Sequence, residues 1–250
     1  MLRFVMGRAG SGKTEYVRGR LKEMAESGGG RLFLIVPEQS SFENERAMLR
    51  LLGARNAGRV CVTSFSRLAD EVFRRYGGGA GRRLDDGGRS IFMSLALEQV
   101  KDRLDFYRRN AESEDLVGLL LGVSAEFKMC ALSPGEIAAA AGKMPQGTLK
   151  RKMTELSLIL SAYDALVAQS YIDPQDDLTR LRDKLLRHGY FEGSTVMVDS
   201  FQSFTVQEYR ILEQILVQAD DVTVTLCADG LDDPCLLYTS DAADDLLCVD

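Results

Sequence analysis

Apolar positions along the chain fall into two patterns. Short continuous runs, "LRFVM" at 2–6, "LFLIV" at 32–36, "VCVT" at 60–63 and "TVMV" at 195–198, are each stopped by glycine, proline or polar residues. Such runs suit strands buried on both faces of a parallel sheet. Between them, apolar residues recur every three or four positions, as Tyr16, Val17, Leu21 and Met24 do in "EYVRGRLKEMAES". "SSFENERAMLRLLG" reads as a second helix, with Ser40 or Ser41 as cap and Gly53 as stop, and a third runs to about Tyr76. Three strand-to-helix units in the first eighty residues predict a doubly wound α/β domain.

The middle of the chain reads differently. From Leu84 to about Gly189 the spacing is helical and predicts no strand. It predicts a long amphipathic helix over 90–109, one over 114–130 and one over 148–170. "SPGEIAAAAGK" carries a capping box, with Ser133 as N-cap, Pro134 at the first helical position and Glu136 three residues past the cap. Asp173-Pro174 opens a last helix, which Gly189 closes. The predicted organisation is an α/β domain in two parts, 1–80 and 191–230, interrupted by an all-helical insertion over 81–190. "VTVTLCADG" ends the sheet at about Gly230. The remaining stretch, 231–250, is acidic and aperiodic, resembles the translated adapter tail of a truncated read, and is expected to be non-native.

Composition narrows the function classes. A net charge of −6 argues against a chain that coats nucleic acid by bulk charge, though not against a local basic groove. The arginines at 108–109 could touch phosphates, but interleaved acids make an exposed surface the better account. Cys61, Cys130, Cys227, Cys235 and Cys248 are scattered, form no CxxC pair and accompany one histidine. That supports neither a zinc site nor a disulfide framework and suits a reducing cytoplasm. No apolar stretch is long enough for a signal peptide or a membrane span.

The candidate chemistry begins directly after the first run. "GRAGSGKT" (Gly7, Arg8, Ala9, Gly10, Ser11, Gly12, Lys13, Thr14) matches G-x-x-x-x-G-K-[ST] at every fixed position, between a strand and a helix. The glycines let successive backbone N–H groups face phosphate oxygens, and the helix adds its positive end. Lys13 is expected to reach the β- and γ-phosphates of ATP and Thr14 to ligate Mg2+. The run at 195–198 delivers Asp199 to a strand end of the same sheet, where it would be the second protein ligand of that Mg2+. The competing reading of Asp199 is a cap for the helix "TVQEYRILEQILVQ".

Together, "GRAGSGKT", "LIVPEQSSFENERAML", "VTSFSRLADEVFRR" and "VDSFQSFTVQEYRIL" resemble the N-terminal part of the AddB (RexB) subunit family of bacterial ATP-dependent helicase/deoxyribonucleases. That family is related to superfamily 1 helicases of the UvrD type. The resemblance covers roughly 1–230 and implies a RecA-like P-loop NTPase fold. It aligns "DSFQSFTVQ" with a D-E-x-Q-D…Q hydrolysis motif: Asp199 keeps the magnesium aspartate, and Gln202 and Gln207 keep coupling positions. Ser200 stands where the general-base glutamate belongs, and a serine hydroxyl takes no proton from water near neutral pH. ATP and Mg2+ binding with weak or absent hydrolysis is therefore expected. The resemblance further implies action on double-stranded DNA ends in recombinational repair, beside an AddA-type helicase/nuclease subunit. The family's nuclease and iron–sulfur cluster lie outside these residues. The alternative is a stand-alone P-loop protein, a small-molecule kinase or an ATP-binding scaffold, although no arginine-rich lid or acceptor-side base is evident.

Overall fold

The computed structural model describes residues 1–28, 30–110, 113–228 and 230. The expected non-native tail at 231–250, with Cys235 and Cys248, lies outside the described residues, as does Gly29. The chain divides into two compact units: Met1–Tyr76 with the segment from Arg180 onward, and Gly77–Thr179.

The first unit is built on five strands, all paired in parallel: β1 (Leu2–Met6), β2 (Arg31–Ile35), β3 (Val60–Thr63), β6 (Ser194–Val198) and β7 (Asp221–Leu226), in the order β1-β7-β6-β2-β3. Among the described residues, α1 (Lys13–Ser27), α2 (Ser41–Asn56), α3 (Phe65–Tyr76) and α9 (Val206–Gln218) lie wholly within it. The continuous apolar runs explain the strands, because a parallel sheet with helices on its faces hides both sides of its central members. All five residues of β6 are buried, as are four of the five in β2. β1 is the exception: Leu2, Phe4 and Met6 share one face at the edge of the sheet and stay exposed.

Two glycines shape the frame. At Gly30 a Cβ would collide with the backbone oxygen of Gly193, so the start of β2 can lie against the turn before β6 only without a side chain. Gly53, at φ 66°, breaks α2 internally, at the position where the sequence predicted its stop. Ser64 caps α3, its hydroxyl accepting from Arg67 N at 3.2 Å.

The second unit holds α4 (Asp86–Val100), α5 (Glu114–Met129), α6 (Pro134–Lys143) and α7 (Thr148–Val167), and α8 (Asp177–Leu185) leads out of it. Its core gathers Met93, Leu97, Leu120, Ile159, Leu160 and Tyr163. The predicted capping box at Ser133 and Glu136 is present in full.

Two expectations are corrected here. A short parallel ladder joins β4 (Arg82–Arg83) to β5 (Tyr171–Ile172), the latter inside the stretch read as strand-free. Two residues are too few to print a period of two. The helix predicted over 90–109 stops at Val100. Its intended last turn is claimed by Glu155, whose buried carboxylate accepts from the backbone N–H of Asp105 (3.1 Å), Phe106 (2.9 Å) and Tyr107 (3.1 Å). Those donors, satisfied by a charged acceptor, no longer need an intrahelical carbonyl.

The same unit buries charge. Asp173 is 1% exposed and accepts from Lys128 Nζ (2.9 Å) and Tyr163 Oη (2.9 Å), with Arg89 Nε at 3.3 Å. Lys128 also reaches Asp176 at 2.9 Å. Burial alone would push the Lys128 ammonium down, but Asp176 and Asp173 outweigh it and hold it above the ordinary lysine range. Burial likewise opposes the Asp173 charge, and Lys128 with its hydrogen bonds prevails, holding that carboxyl below the usual range.

Candidate functional site

The site lies at the carboxyl end of the five-stranded sheet, where parallel strands release their loops. Because every pair is parallel, β1 and β6 end on the same side. β7 lies between them, so the two ends stand roughly 10 Å apart at two strand spacings.

From β1 the chain enters the glycine loop. Gly7 N still donates to Leu226 O on β7 (3.3 Å), and Ser11 N donates to Arg8 O (3.1 Å) to close a turn. Gly10 and Gly12 adopt φ 77° and 87°, a left-handed conformation that side chains disfavour. A Cβ at Gly7 would meet Ser11 Oγ at 2.5 Å, a contact that rotation of the serine hydroxyl can relieve. Arg8, Ala9, Gly10, Ser11 and Gly12 are exposed, while Gly7, Lys13 and Thr14 are half-buried. Tyr16 N donates to Gly12 O at 2.9 Å, the first turn of α1, so Lys13 and Thr14 occupy its positive end. The Lys13 ammonium folds back onto two carbonyls, Gly7 O (2.5 Å) and Arg8 O (2.8 Å). Among the described residues it has no carboxylate partner.

From β6 the chain delivers Asp199. Its backbone N–H still donates to Ile35 O at 3.0 Å, so it ends the ladder with β2. The side chain is buried, 2% exposed, and meets hydroxyls rather than cations. Thr225 Oγ1 on β7 donates to Oδ1 at 2.6 Å, and Ser200 Oγ donates to Oδ2 at 3.1 Å. Among the described residues no basic group pairs with it. The capping reading fails, because Thr205 caps α9 in a full capping box with Glu208. Asp199 precedes that cap by six positions.

Ser200 is exposed and sits at φ 68°, outside the regions most residues adopt. Its hydroxyl is engaged as a donor to Asp199. Gln202 is exposed on the loop that follows, and Gln207 is buried on the first turn of α9. An aromatic chain steadies this loop: Phe201 packs on Phe65 (5.5 Å between centroids) and stacks on Phe204 (4.8 Å), which meets Tyr209 edge-on. The quoted blocks after β2 and β3 also meet, through Arg67 Nη1 donating to Ser41 Oγ at 2.8 Å.

Thr225 is the residue that the sequence reading missed. A signal existed: in β7, Thr223 and Thr225 alternate with Val222 and Val224, and all four are buried. A buried hydroxyl needs a partner, and one at a strand end finds it on the neighbouring strand end.

The family model described as "ADDB, N-terminal" matches residues 4–239. The chain belongs to the AddB N-terminal family. Among similar proteins, the ATP-dependent helicase/deoxyribonuclease B-subunit of Clostridium botulinum is 33% identical over 241 residues, which is 96% of this chain and 21% of that protein. The protein of the same name from Clostridium acetobutylicum is 35% identical over 229 residues, 91% of this chain and 20% of its own length. That of a Thermoanaerobacter species is 34% identical over 251 residues, 98% and 22% respectively. The chain thus spans about a fifth of the length of the curated relatives it matches. Within this AddB-family chain, no single described helix is long and apolar enough to cross a membrane.

Proposed function

We propose that the sheet unit of this AddB-family chain is a magnesium–ATP-binding, RecA-like P-loop region of a helicase/deoxyribonuclease subunit that acts on double-stranded DNA ends. The carrying observation is a pair of charges that, among the described residues, meet no counterion at one end of one sheet: Lys13 held by carbonyls, Asp199 held by hydroxyls. An ammonium in a curled glycine loop suits a triphosphate, and a buried carboxylate without a countercharge suits a divalent cation. The residues fit the ligand. Gly7 to Lys13 would bind phosphate oxygens through backbone N–H groups and the ammonium, and Thr14 with Asp199 would hold Mg2+. Bound magnesium would neutralise phosphate charge.

Hydrolysis should be weak or absent. Ser200 follows the magnesium aspartate, its hydroxyl donates to Asp199, and no serine accepts a proton from water near neutral pH. The chain would then use nucleotide to hold a conformation rather than to power strokes. The motor would be supplied by an AddA-type partner in the cytoplasm, and the family's nuclease and iron–sulfur cluster by residues outside this sequence.

The test measures binding of a fluorescent ATP analogue with and without Mg2+, and turnover with linear duplex DNA. Saturable micromolar binding strengthened by Mg2+, lost in Lys13→Ala, with turnover at background, is the expected result. Rapid DNA-stimulated turnover that Lys13→Ala abolishes would refute the assignment of Ser200. Phosphorylation of a small metabolite would favour the kinase reading instead.

A further inference from the structure

We infer that Thr225 is a positioning residue for Asp199, fixing the carboxylate for its cation from the strand that also anchors the glycine loop. The inference rests on the magnesium–nucleotide reading of this site and adds a residue to it.

Three observations converge on the Thr225 hydroxyl. It donates to Asp199 Oδ1 at 2.6 Å, it accepts from Ser200 N at 3.4 Å, and its residue is buried at 3% exposure. One hydroxyl therefore ties the carboxylate to the backbone of the next residue, which sits at φ 68°. Its single proton is committed to Asp199, so donor and acceptor roles are fixed. Oδ1 is thereby occupied by a neutral donor that does not cancel the charge. Ser200 Oγ gives the second oxygen a weaker donor, on an exposed side chain that can turn away.

The register makes Thr225 more than a local prop. β7 is the strand between β1 and β6; Val5 pairs with Thr225 on one side, and Val198 pairs with Val224 on the other. The next residue of β7, Leu226, accepts from Gly7 N, the first residue of the glycine loop. Thr225 thus stands one residue from the phosphate loop's backbone anchor and in direct contact with the metal carboxylate. A shift of β1 against β6 has to pass through β7, the strand that carries it.

The distinguishing experiment compares Thr225→Val and Thr225→Ser with the unsubstituted chain. A fluorescent ATP analogue is titrated in Mg2+ and in EDTA, and thermal unfolding is recorded for each protein. Ligand-orienting partners of a metal site alter metal affinity by about 10–100-fold when removed. Thr225→Val should lose about tenfold or more of the Mg2+-dependent gain, keep its EDTA affinity, and be rescued by Thr225→Ser. In an Asp199→Asn background the valine should have no further effect on that gain. Should the valine variant not fold, Thr225→Ala is read the same way.

A folded Thr225→Val or Thr225→Ala protein with the full Mg2+ gain overturns the inference and leaves the nucleotide reading standing. Equal losses in Mg2+ and EDTA overturn it too, because they mark a purely structural role. An unsubstituted protein that binds the analogue in neither buffer overturns the nucleotide reading, and the inference with it.

Discussion

Two buried aspartates, Asp173 in the helical unit and Asp199 in the sheet unit, are held in opposite ways. In the helical unit the buried Asp173 meets Lys128 and Arg89, and each charge is answered by another. In the sheet unit Lys13 and Asp199 lie at the same end of the strands and meet neutral carbonyls and hydroxyls. In a buried ion pair each charge offsets part of the other's desolvation, so that removing one partner costs more than the pair contributes. A charge kept from any counterion is a standing cost that a ligand can relieve. The contrast supports the proposed site without reference to any motif.

The sharpest way to break this comparison is at Asp173. Asp173→Ala takes away the most buried partner of Lys128 and Arg89, although Lys128 keeps Asp176, and should destabilise folding by about 3 kcal/mol, the low end for a broken buried pair, read by urea denaturation, while nucleotide binding by whatever remains folded is unchanged. Lys13→Ala should do the reverse: a loss of about 1.5–3 kcal/mol in nucleotide affinity by titration, with the unfolding midpoint in place. Asp199→Asn sharpens the point further. Removing a buried charge that has no counterion should leave stability within about 1 kcal/mol or raise it, yet abolish the Mg2+ dependence of binding. A marked fall in the unfolding midpoint would place Asp199 with Asp173, among the structural charges.

The smallest effect is in pH. Asp173 in the folded chain titrates below its ordinary value near 3.8, so its contribution is fully present above that value. As pH falls below it towards the folded value, the contribution is lost. The stability gap between the unsubstituted chain and Asp173→Asn should therefore be flat from neutral pH down to about 4 and shrink below that. A gap that narrowed already between about pH 7 and 5 would mean that another group carries it.

The strands were legible because a strand hidden on both faces is apolar throughout, and the helices because their stripes repeat over several turns. Strand order was not legible, since no local pattern states which strand lies beside which. Long-range polar contacts escaped as well. Nothing in "DRLDFYRR" announces that Glu155, some fifty positions later, takes the N–H groups that would have continued a helix. Lys13 was visible because the glycine motif fixes its position, and Asp199 because it ends a readable strand. Thr225 was not, because its significance exists only once β7 is placed between β1 and β6. Capping by Asp199 stood only as the competing reading, and the local pattern already favours Thr205: both are good capping residue types, and only the second has its glutamate three residues on.

The edge strand β1 also sets a clock. Among the described strands its one neighbour is β7, some 220 residues later in the chain. At roughly 5–20 residues per second, a ribosome that has just released the glycine loop needs about ten to forty seconds to deliver the strand that anchors it. During that interval the loop has its residues but no sheet behind it. On the proposed reading, competence to hold a nucleotide arrives late in the synthesis of this region, after the helical unit has been made, and a nascent chain stalled before β7 would carry the whole motif without the strand that anchors it.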